Sequence, residues 1–329
     1  MPIVHFLNVG EGDCSVIQHA SGRVTIIDIC NGKTGSESLA EGINRLSQMM
    51  TKATSSNLDT QDQTTEPIAY LKELGVSKVF RFVLTHPDMD HMDGFKALCD
   101  DIGILNFWDS GARQTKPDFA EGRYNEEDWD NYVKVRDGKA RVTVVKPKAG
   151  SRFKFANLGD PDNCGDCISV VSPDNDLVMA ANRTDDPNDA SYVLVYRTCG
   201  GRIIFPGDAH DKTWEFVQSN CEELVKDCSV LIAPHHGRAS DRSYEFLDVL
   251  EPKLSLFGCA RSDEIAFDAW HSRGLLYITN NKAGNVLLRP CNQGIEVYVE
   301  DFAFAKTFNT FSPLKGLRGC FFIGLIDKN

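Results

Sequence analysis

Val79-Phe80-Arg81-Phe82-Val83-Leu84-Thr85 runs directly into His86-Pro87-Asp88-Met89-Asp90-His91. The first run is short, apolar and rich in β-branched and aromatic residues, so it reads as a buried strand. The second places two imidazoles and two carboxylates within six residues of that strand's C-terminal end. A tight loop can turn all four towards one point, and this donor mixture suits Zn²⁺, Mn²⁺ or Fe²⁺. The second Asp adds a hard oxygen donor, which tilts the choice towards Mn²⁺ or a mixed site.

Two other stretches have the same build. Arg202-Ile203-Ile204-Phe205-Pro206 ends in Gly207-Asp208, and Ser229-Val230-Leu231-Ile232-Ala233 leads to His235-His236-Gly237. Three strand ends bearing ligand-type residues predict one rim of a sheet sandwich. Asp208 also suits a helix N-cap, because a helix is expected over 211–226. The pair His235-His236 also suits a turn before Gly237, and the sequence does not choose between the two imidazoles.

Around these stretches, residues 3–9 and 14–18 form an expected hairpin, with Gly10 and Gly12 between them, and Val24–Ile29 a third strand. Leu39, Ile43, Leu46 and Met50 share a helix face, and 51–66 is polar enough to be a surface loop. Pro67 opens a short helix that Gly75 closes. The polar and aromatic stretch 106–165, apart from a strand over 141–147, reads as a variable insertion at the site mouth. Strands are expected at 168–172, 176–180, 192–196, 202–206, 229–233, 254–258, 285–289 and 294–299, and a helix over 240–250. The division is one domain over 1–303 and a tail over 304–329, whose apolar end, Gly319-Cys320-Phe321-Phe322-Ile323-Gly324-Leu325-Ile326, suggests burial. Two strand-rich halves with interspersed helices predict an α/β sandwich of two packed sheets with helices outside.

Composition sets limits on function. The chain has 329 residues and a formal net charge of −12, which argues against non-specific coating of a nucleic-acid duplex. It does not exclude a phosphodiester substrate, because bound cations reverse the local field of an Asp-rich site. A basic run over 134–154, with Tyr124, Trp129 and Tyr132 upstream, fits a solvated face or a guide for a nucleic-acid strand. No secretory pattern and no run of about 18 apolar residues is present, so a cytoplasmic protein with reduced thiols and no membrane span is expected. Cys164-Gly165-Asp166-Cys167 has no second pair to complete a zinc site. His5 and His19 read as structural.

The chain resembles the metallo-β-lactamase superfamily of hydrolases. The family pattern H-x-H-x-D-H here reads His86-x-Asp88-x-Asp90-His91, and H-x-D-x-D-H is typical of the branch that holds the nuclease-like domain of ComEC-type DNA-uptake proteins. FLNVGEGDC (6–14), NDASYVLVY (188–196), FPGDAH (205–210) and IAPHHG (232–237) resemble the same branch. The resemblance implies an αββα sandwich of two mixed β-sheets flanked by helices, with two divalent cations (Zn²⁺ or Mn²⁺). Asp90 and His91 would bind one, and His86 with Asp88 the other. Asp208 would bridge them, and His235, or its rival His236, would complete the set, with Asp90 and Asp208 acting in catalysis. The family's third His has no counterpart between 91 and 208, where Asn188 or Asp189 is the nearest substitute. Asp13 is placed beside the metals as an orienting residue, and His271 near the substrate. The implied activity is a metal-dependent phosphodiesterase or nuclease that hydrolyses with water activated between the two metals. Hydrolysis of a small phosphodiester or another ester is the alternative within enzymes. A catalytically weak binding or regulatory module of a defence-type system is the alternative outside them. Nucleic acid or a small phosphodiester is then the partner, with a homo-oligomer or a protein partner also compatible.

Overall fold

The computed structural model describes residues 1–31, 64–158, 165–240, 242–258, 265–308 and 313–328. The expected helix face at Leu39, Ile43, Leu46 and Met50, most of the polar stretch 51–66, and Cys164 lie outside the described residues.

Among the described residues, fifteen strands form two mixed sheets. The larger holds β1 (Ile3–Phe6), β2 (Ser15–Gln18), β3 (Val24–Ile27), β4 (Val79–Leu84), β5 (Ile104–Asp109), β6 (Thr143–Val145), β13 (Val286–Cys291), β14 (Gly294–Val299) and β15 (Phe321–Asp327). Their order is β15-β14-β13-β1-β2-β3-β4-β5-β6. From β3 to β6 the neighbours are parallel, and the other pairs are antiparallel. The smaller sheet holds β7 (Ile168–Ser172), β8 (Val193–Thr198), β9 (Gly201–Phe205), β10 (Cys228–Ile232), β11 (Leu254–Phe257) and β12 (Tyr277–Thr279). Its order is β12-β11-β10-β9-β8-β7, parallel from β9 to β12.

Side-chain alternation explains why the strands read as continuous apolar runs. In β9, Ile203 and Phe205 point into the layer between the sheets, while Ile204 packs on the outer helices. In β10, Val230 and Ile232 face inward and Leu231 outward, and in β4 Val83 faces inward while Phe82 and Leu84 face outward. A strand buried on both faces has no polar side to show.

The outer face of the large sheet is covered by helices α1 (Pro67–Glu73) and α2 (Glu126–Arg136), through Ile68, Leu71, Trp129, Tyr132 and Val135. A third helix, α3 (Asn175–Thr184), follows β7. Helices α4 (Asp211–Val225), α5 (Phe246–Leu250) and α6 (Phe267–His271) cover the small sheet through Trp214, Val217, Phe246, Leu247 and Trp270. The chain is therefore the αββα sandwich that the strand pattern and the resemblance implied.

Several expectations are corrected. Residues 176–180, expected as a strand, lie within α3. Asp174 caps it by accepting from Leu177 N at 2.8 Å, and that cap outweighs the apolar character of the short segment. The stretch 106–165 is less of an insertion than its polarity suggests, because β5 lies inside the large sheet and α2 packs on it. Trp129 and Tyr132 are core residues rather than stacking platforms. The helix expected over 240–250 is confined to α5. Beyond α7 (Phe302–Phe308), the apolar end of the tail forms β15, an edge strand paired with β14. Cys167 is disulfide-bonded, against the expectation of reduced thiols throughout.

Arg81 is buried in β4, where it donates to Thr25 Oγ1 at 2.8 Å and lies 3.3 Å from Asp166 Oδ2. Burial pushes its pKa down to about 10, while Asp166 opposes the shift. Arg23 also donates to Asp166, at 2.7 Å. Asp166→Ala leaves the buried Arg81 without its carboxylate and should lower the unfolding free energy in urea by ~3–5 kcal/mol. The double change Arg81→Met with Asp166→Leu should regain most of that loss. A cost no larger than that of a surface pair, ~1 kcal/mol, would contradict the assignment.

Candidate metal centre

The carboxyl ends of β3, β4, β9 and β10 meet at one edge of the sandwich, where they deliver Asp28, His86, Asp208 and His235-His236. Two glycines permit the close approach. Gly207 has φ +52°, and a Cβ there would lie 2.7 Å from the Thr85 side chain. Gly12 has φ +138°, and a Cβ there would collide with the Asp90 carbonyl oxygen. Backbone bonds tie the strand ends at the same place: Tyr192 N donates to Thr85 O at 3.0 Å, and His235 N donates to Gly207 O at 3.2 Å.

Asp208 lies at the centre, almost fully buried. His91 Nε2 is 3.2 Å from its Oδ1. Three imidazoles approach its Oδ2 through Nε2: His235 at 3.7 Å, His236 at 3.8 Å and His86 at 3.9 Å. His86 Nε2 is also 3.3 Å from Asp88 Oδ2, and His236 Nε2 is 3.2 Å from Asp90 Oδ2. Donor atoms of His86, His91 and Asp208 lie within 4.8 Å of one another, as do those of Asp90, His91 and His236, and those of Asp13, Asp208 and His236.

The outward nitrogens define the tautomers. Thr85 Oγ1 donates to Asp28 Oδ2 at 2.7 Å, so it accepts from His86 Nδ1 at 3.0 Å. His91 Nδ1 donates to Asp28 Oδ2 at 2.9 Å. Both Nε2 atoms are left as lone pairs aimed at carboxylates, buried and without a hydrogen-bond partner among the described residues. Lone pairs facing each other across a buried gap need a cation or a proton between them. His236 has carboxylates on both sides, with Asp13 Oδ1 3.2 Å from its Nδ1. The donor set, the orphaned atoms and their convergence fit divalent cations.

The titration directions agree with such a site. Burial opposes the charge of His236, yet Asp13, Asp208 and Asp90 push its pKa up to about 10. Burial likewise opposes His91, which Asp208, Asp28 and Asp90 raise well above the usual range. The imidazoles in turn hold Asp90 and Asp208 well below the ordinary carboxylate range, against burial. His235 differs: burial lowers it to about 4, so it is a neutral imidazole at neutral pH.

The structure thus brings His86, Asp88, Asp90, His91, Asp208, His235, His236 and Asp13 together. It does not bring in the others. Asp189 is buried against Lys212 Nζ at 2.6 Å and groups with Asp186 and His210. Asn188 is half-buried on the same short turn. His271 is exposed at the end of α6. The capping alternative for Asp208 does not hold, since α4 begins after His210. His5 and His19 take structural partners, Tyr70 Oη and Thr25 Oγ1, both at 2.8 Å.

Sequence reasoning missed Asp28, which sits in a run otherwise apolar from Ile26 to Ile29. A carboxylate in such a run was the available signal. It also missed Gln114, whose amide nitrogen, turned towards the loop, donates to Asp88 Oδ1 at 2.6 Å. A cleft of about 300 Å³ opens beside Asp88 and Asp90, bounded by Gln114, Phe119, Arg123 and Tyr124. Asp128 of α2 holds the turn after His91 by accepting from Gly94 N at 3.1 Å and Lys96 N at 2.7 Å.

No protein-family model matches the chain, and no curated protein matches it. Among solved structures, it is similar to Igni18, a metallo hydrolase from the archaeon Ignicoccus hospitalis. The identity is 13%, with 87% of this chain and 99% of that one covered, at a TM-score of 0.45. It is similar to the metallo-β-lactamase-fold protein YhfI from Bacillus subtilis, at 9% identity, 85% and 96% coverage and a TM-score of 0.42. It is also similar to a diphosphatase of the PhnP family, at 11% identity, 88% and 99% coverage and a TM-score of 0.41.

In chelator-treated protein, His236 takes up a proton on folding between its unfolded pKa of 6.5 and its folded value of about 10. Its contribution to stability is fully present below pH 6.5 and is lost as pH rises to about 10, a window His91 shares in direction. The thermal midpoint of the metal-free protein should therefore fall across that range, and added Zn²⁺ or Mn²⁺ should flatten the dependence. A flat profile without metal would show that these imidazoles do not hold protons between the carboxylates. Asp28→Asn should lower metal affinity by about 10- to 100-fold, as loss of an orienting partner does.

Proposed function

We propose that the protein is a metal-dependent hydrolase acting on an anionic ester, with phosphodiesters as the substrate class. The observation that carries this reading is the set of imidazole Nε2 atoms converging on Asp208, two of them with their outer nitrogens already engaged. His86, Asp88, Asp90, His91, Asp208 and His236 would hold two divalent cations, Zn²⁺ or Mn²⁺. Such cations supply Lewis acidity, which brings the ionisation of water towards neutral pH and neutralises charge developing on an ester oxygen.

The chain's own residues do the rest. Asp28 and Thr85 fix the rings of His91 and His86, and Asp13 faces the outer nitrogen of His236. Asp88 and Asp90 are the partly exposed members, so substrate would approach through the cleft beside them. Arg123, paired with Glu11, lines that cleft. Arg238 lies 3.9 Å from the same Glu11, and the half-buried Arg242 reaches the Asp208 carbonyl oxygen at 3.4 Å. Three guanidiniums around an acidic centre, in a chain of net charge −12, support an anionic substrate. Burial, with the Asp90 charge, pushes the Tyr124 hydroxyl above its ordinary value, and this phenol, protonated at neutral pH in any case, can donate a hydrogen bond to a substrate oxygen.

The narrower nuclease reading rests on the resemblance of the H-x-D-x-D-H stretch and its companions to ComEC-type domains. With Trp129 and Tyr132 in the core, a strand guide would depend on Tyr124, Phe119 and the arginines. Among the described residues no helix is long and apolar enough to cross a membrane.

The test is hydrolysis of end-labelled single-stranded DNA and of bis(4-nitrophenyl) phosphate with added Mn²⁺, beside Asp90→Ala and Asp208→Ala. The wild type should cleave, and each variant should lose more than about 100-fold, beyond the cost of removing an orienting partner. Cleavage of the small diester alone would exclude the nuclease reading. No cleavage of either by protein that binds cations would exclude phosphodiesters. Protein that binds no cation would favour a binding module.

A further inference from the structure

We infer that Lys148, Lys146 and Arg113, gathered around Asp109 at the carboxyl ends of β5 and β6, form a phosphate-binding subsite separate from the metal ligands, which takes a phosphate group of the substrate other than the one cleaved. That its occupant belongs to the substrate rests on the phosphodiester reading above; the subsite itself does not.

The charges at this end of the sheet do not balance. Asp109 is buried, and its carboxylate is filled from within the cluster. Gly111 N donates to Oδ1 at 2.9 Å, and the Arg113 guanidinium donates to Oδ1 at 3.2 Å and to Oδ2 at 3.1 Å. Lys146 Nζ lies 3.2 Å from Oδ2. These contacts use the capacity of one carboxylate. Lys148 comes in addition. It is half-buried, its ammonium donates to the Ser110 carbonyl oxygen, and it has no ion-pair partner among the described residues. An ammonium carries three N–H donors, so donors remain for a ligand. Asp174, the other carboxylate near it, is engaged as the cap of α3. Burial pushes the Lys148 ammonium down to about 8 against the pull of Asp109, and Lys146 and Arg113 add to the fall. A charge disfavoured by burial and by like neighbours gains most from an arriving anion.

The surrounding surface has the same sign. Residues 134–154 hold eight Lys and Arg against one acid, Asp137, in a chain of net charge −12. They flank β6, the last strand of the large sheet among the described residues. Arg141 and Arg152 are exposed and have no carboxylate partner among the described residues. Protection of a sheet edge by cations explains exposed residues such as Arg141. It does not explain Lys148, whose ammonium is drawn in against Ser110.

The subsite is firmly held and tied to the metal centre. Lys148 N donates to Ser151 Oγ and Ala149 N to Pro173 O, both at 2.8 Å, which fixes the turn that carries Lys148. The Tyr192 hydroxyl reaches the carbonyl oxygens of Asp109 and Pro147 at 2.9 and 3.1 Å, while Tyr192 N holds the Thr85 carbonyl beside His86. Gln114, next to Arg113, donates to Asp88 Oδ1. The strand register sets the scale. Leu84 pairs with Asp109, and Trp108 with Val145, so Lys146 starts level with Asp109 and two strands from Leu84. Two strand spacings are ~10 Å. The cleft beside Asp88 and Asp90 is bounded by Gln114 but by neither Arg113 nor Lys148. A substrate with more than one phosphate can therefore present one to the metal centre and another to this cluster.

The experiment measures binding to full-length protein after chelator treatment and gel filtration, so that it does not depend on the cations. A short fluorescein-labelled oligothymidylate is followed by anisotropy across a salt titration, and inorganic pyrophosphate by calorimetry. The wild type should bind both. Lys146→Met with Lys148→Met should abolish pyrophosphate binding and lower the slope of log affinity against log salt by about 1.4, at about 0.7 per cation on a single strand. Lys148→Arg, which keeps the charge, should retain the slope, and circular dichroism checks folding. If the double variant does not fold, Lys146→Met alone, at an exposed position, should lower the slope by about 0.7. Folded variants with wild-type pyrophosphate affinity and slope would overturn the inference, as would wild-type protein that binds neither ligand. Loss of pyrophosphate binding with no effect on the oligonucleotide would overturn the assignment to a substrate phosphate and leave a site for a free one. Failure of the cation-loaded protein to hydrolyse any phosphodiester, with the binding shifts present, would instead overturn the phosphodiester reading.

Discussion

Asp13, Asp28, Asp88, Asp90 and Asp208 cannot share a mostly buried volume with His86, His91, His235 and His236 as neutral lone pairs and bare carboxylates. Positive charge must lie between them. In the metal-free chain, protons on the imidazoles supply it, which is why His91 and His236 are driven up and Asp90 and Asp208 down. Divalent cations satisfy the same need with directional bonds. The rest of the architecture can be understood as the means of holding these groups together at one edge.

That edge is where parallel strands of both sheets end. Each carboxyl end offers a short loop whose first residues are fixed by the strand behind them, so ligands from distant parts of the sequence acquire the rigidity of the core. The Thr85–Gly207 contact is the pivot of this arrangement. Without a side chain at Gly207, the end of β9 can lie against the end of β4, and Asp208 reaches between His86 and His91. Asp28 then performs two tasks with one carboxylate. It accepts from the Thr85 backbone and hydroxyl, and it holds the outer nitrogen of His91. The left-handed φ of Asp28, at 55°, is a local cost of pointing a carboxylate from the strand end into that junction.

The strands are legible in the sequence because the hydrophobic effect acts on both faces of a sandwich layer. Runs such as Val79–Leu84 and Val230-Leu231-Ile232 have no other stable environment. The cluster at 86–91 is legible because its ligands are local, and the later partners because each follows a strand. What stays hidden depends on contacts between distant segments. Asp28 looks like a flaw in an apolar run until Thr85 and His91 are packed against it. Gln114 lies in a stretch whose polarity suggests an insertion, and nothing local ties it to Asp88. The strand expected at 176–180 fails because period alone describes its apolar residues, while the helix signal, Asp174 three residues before Leu177, lies outside that window.

The choice between His235 and His236 shows the same limit from the other side. Adjacent residues in an ordinary strand point to opposite faces, so a strand-based reading forces one of the pair away from the site. The left-handed turn removes that alternative. Two successive residues with positive φ curl the backbone around the site, so that both imidazoles reach Asp208 Oδ2, at 3.7 and 3.8 Å. Once the backbone is known, their environments separate them: one ring is enclosed by carboxylates, and the other is partly exposed.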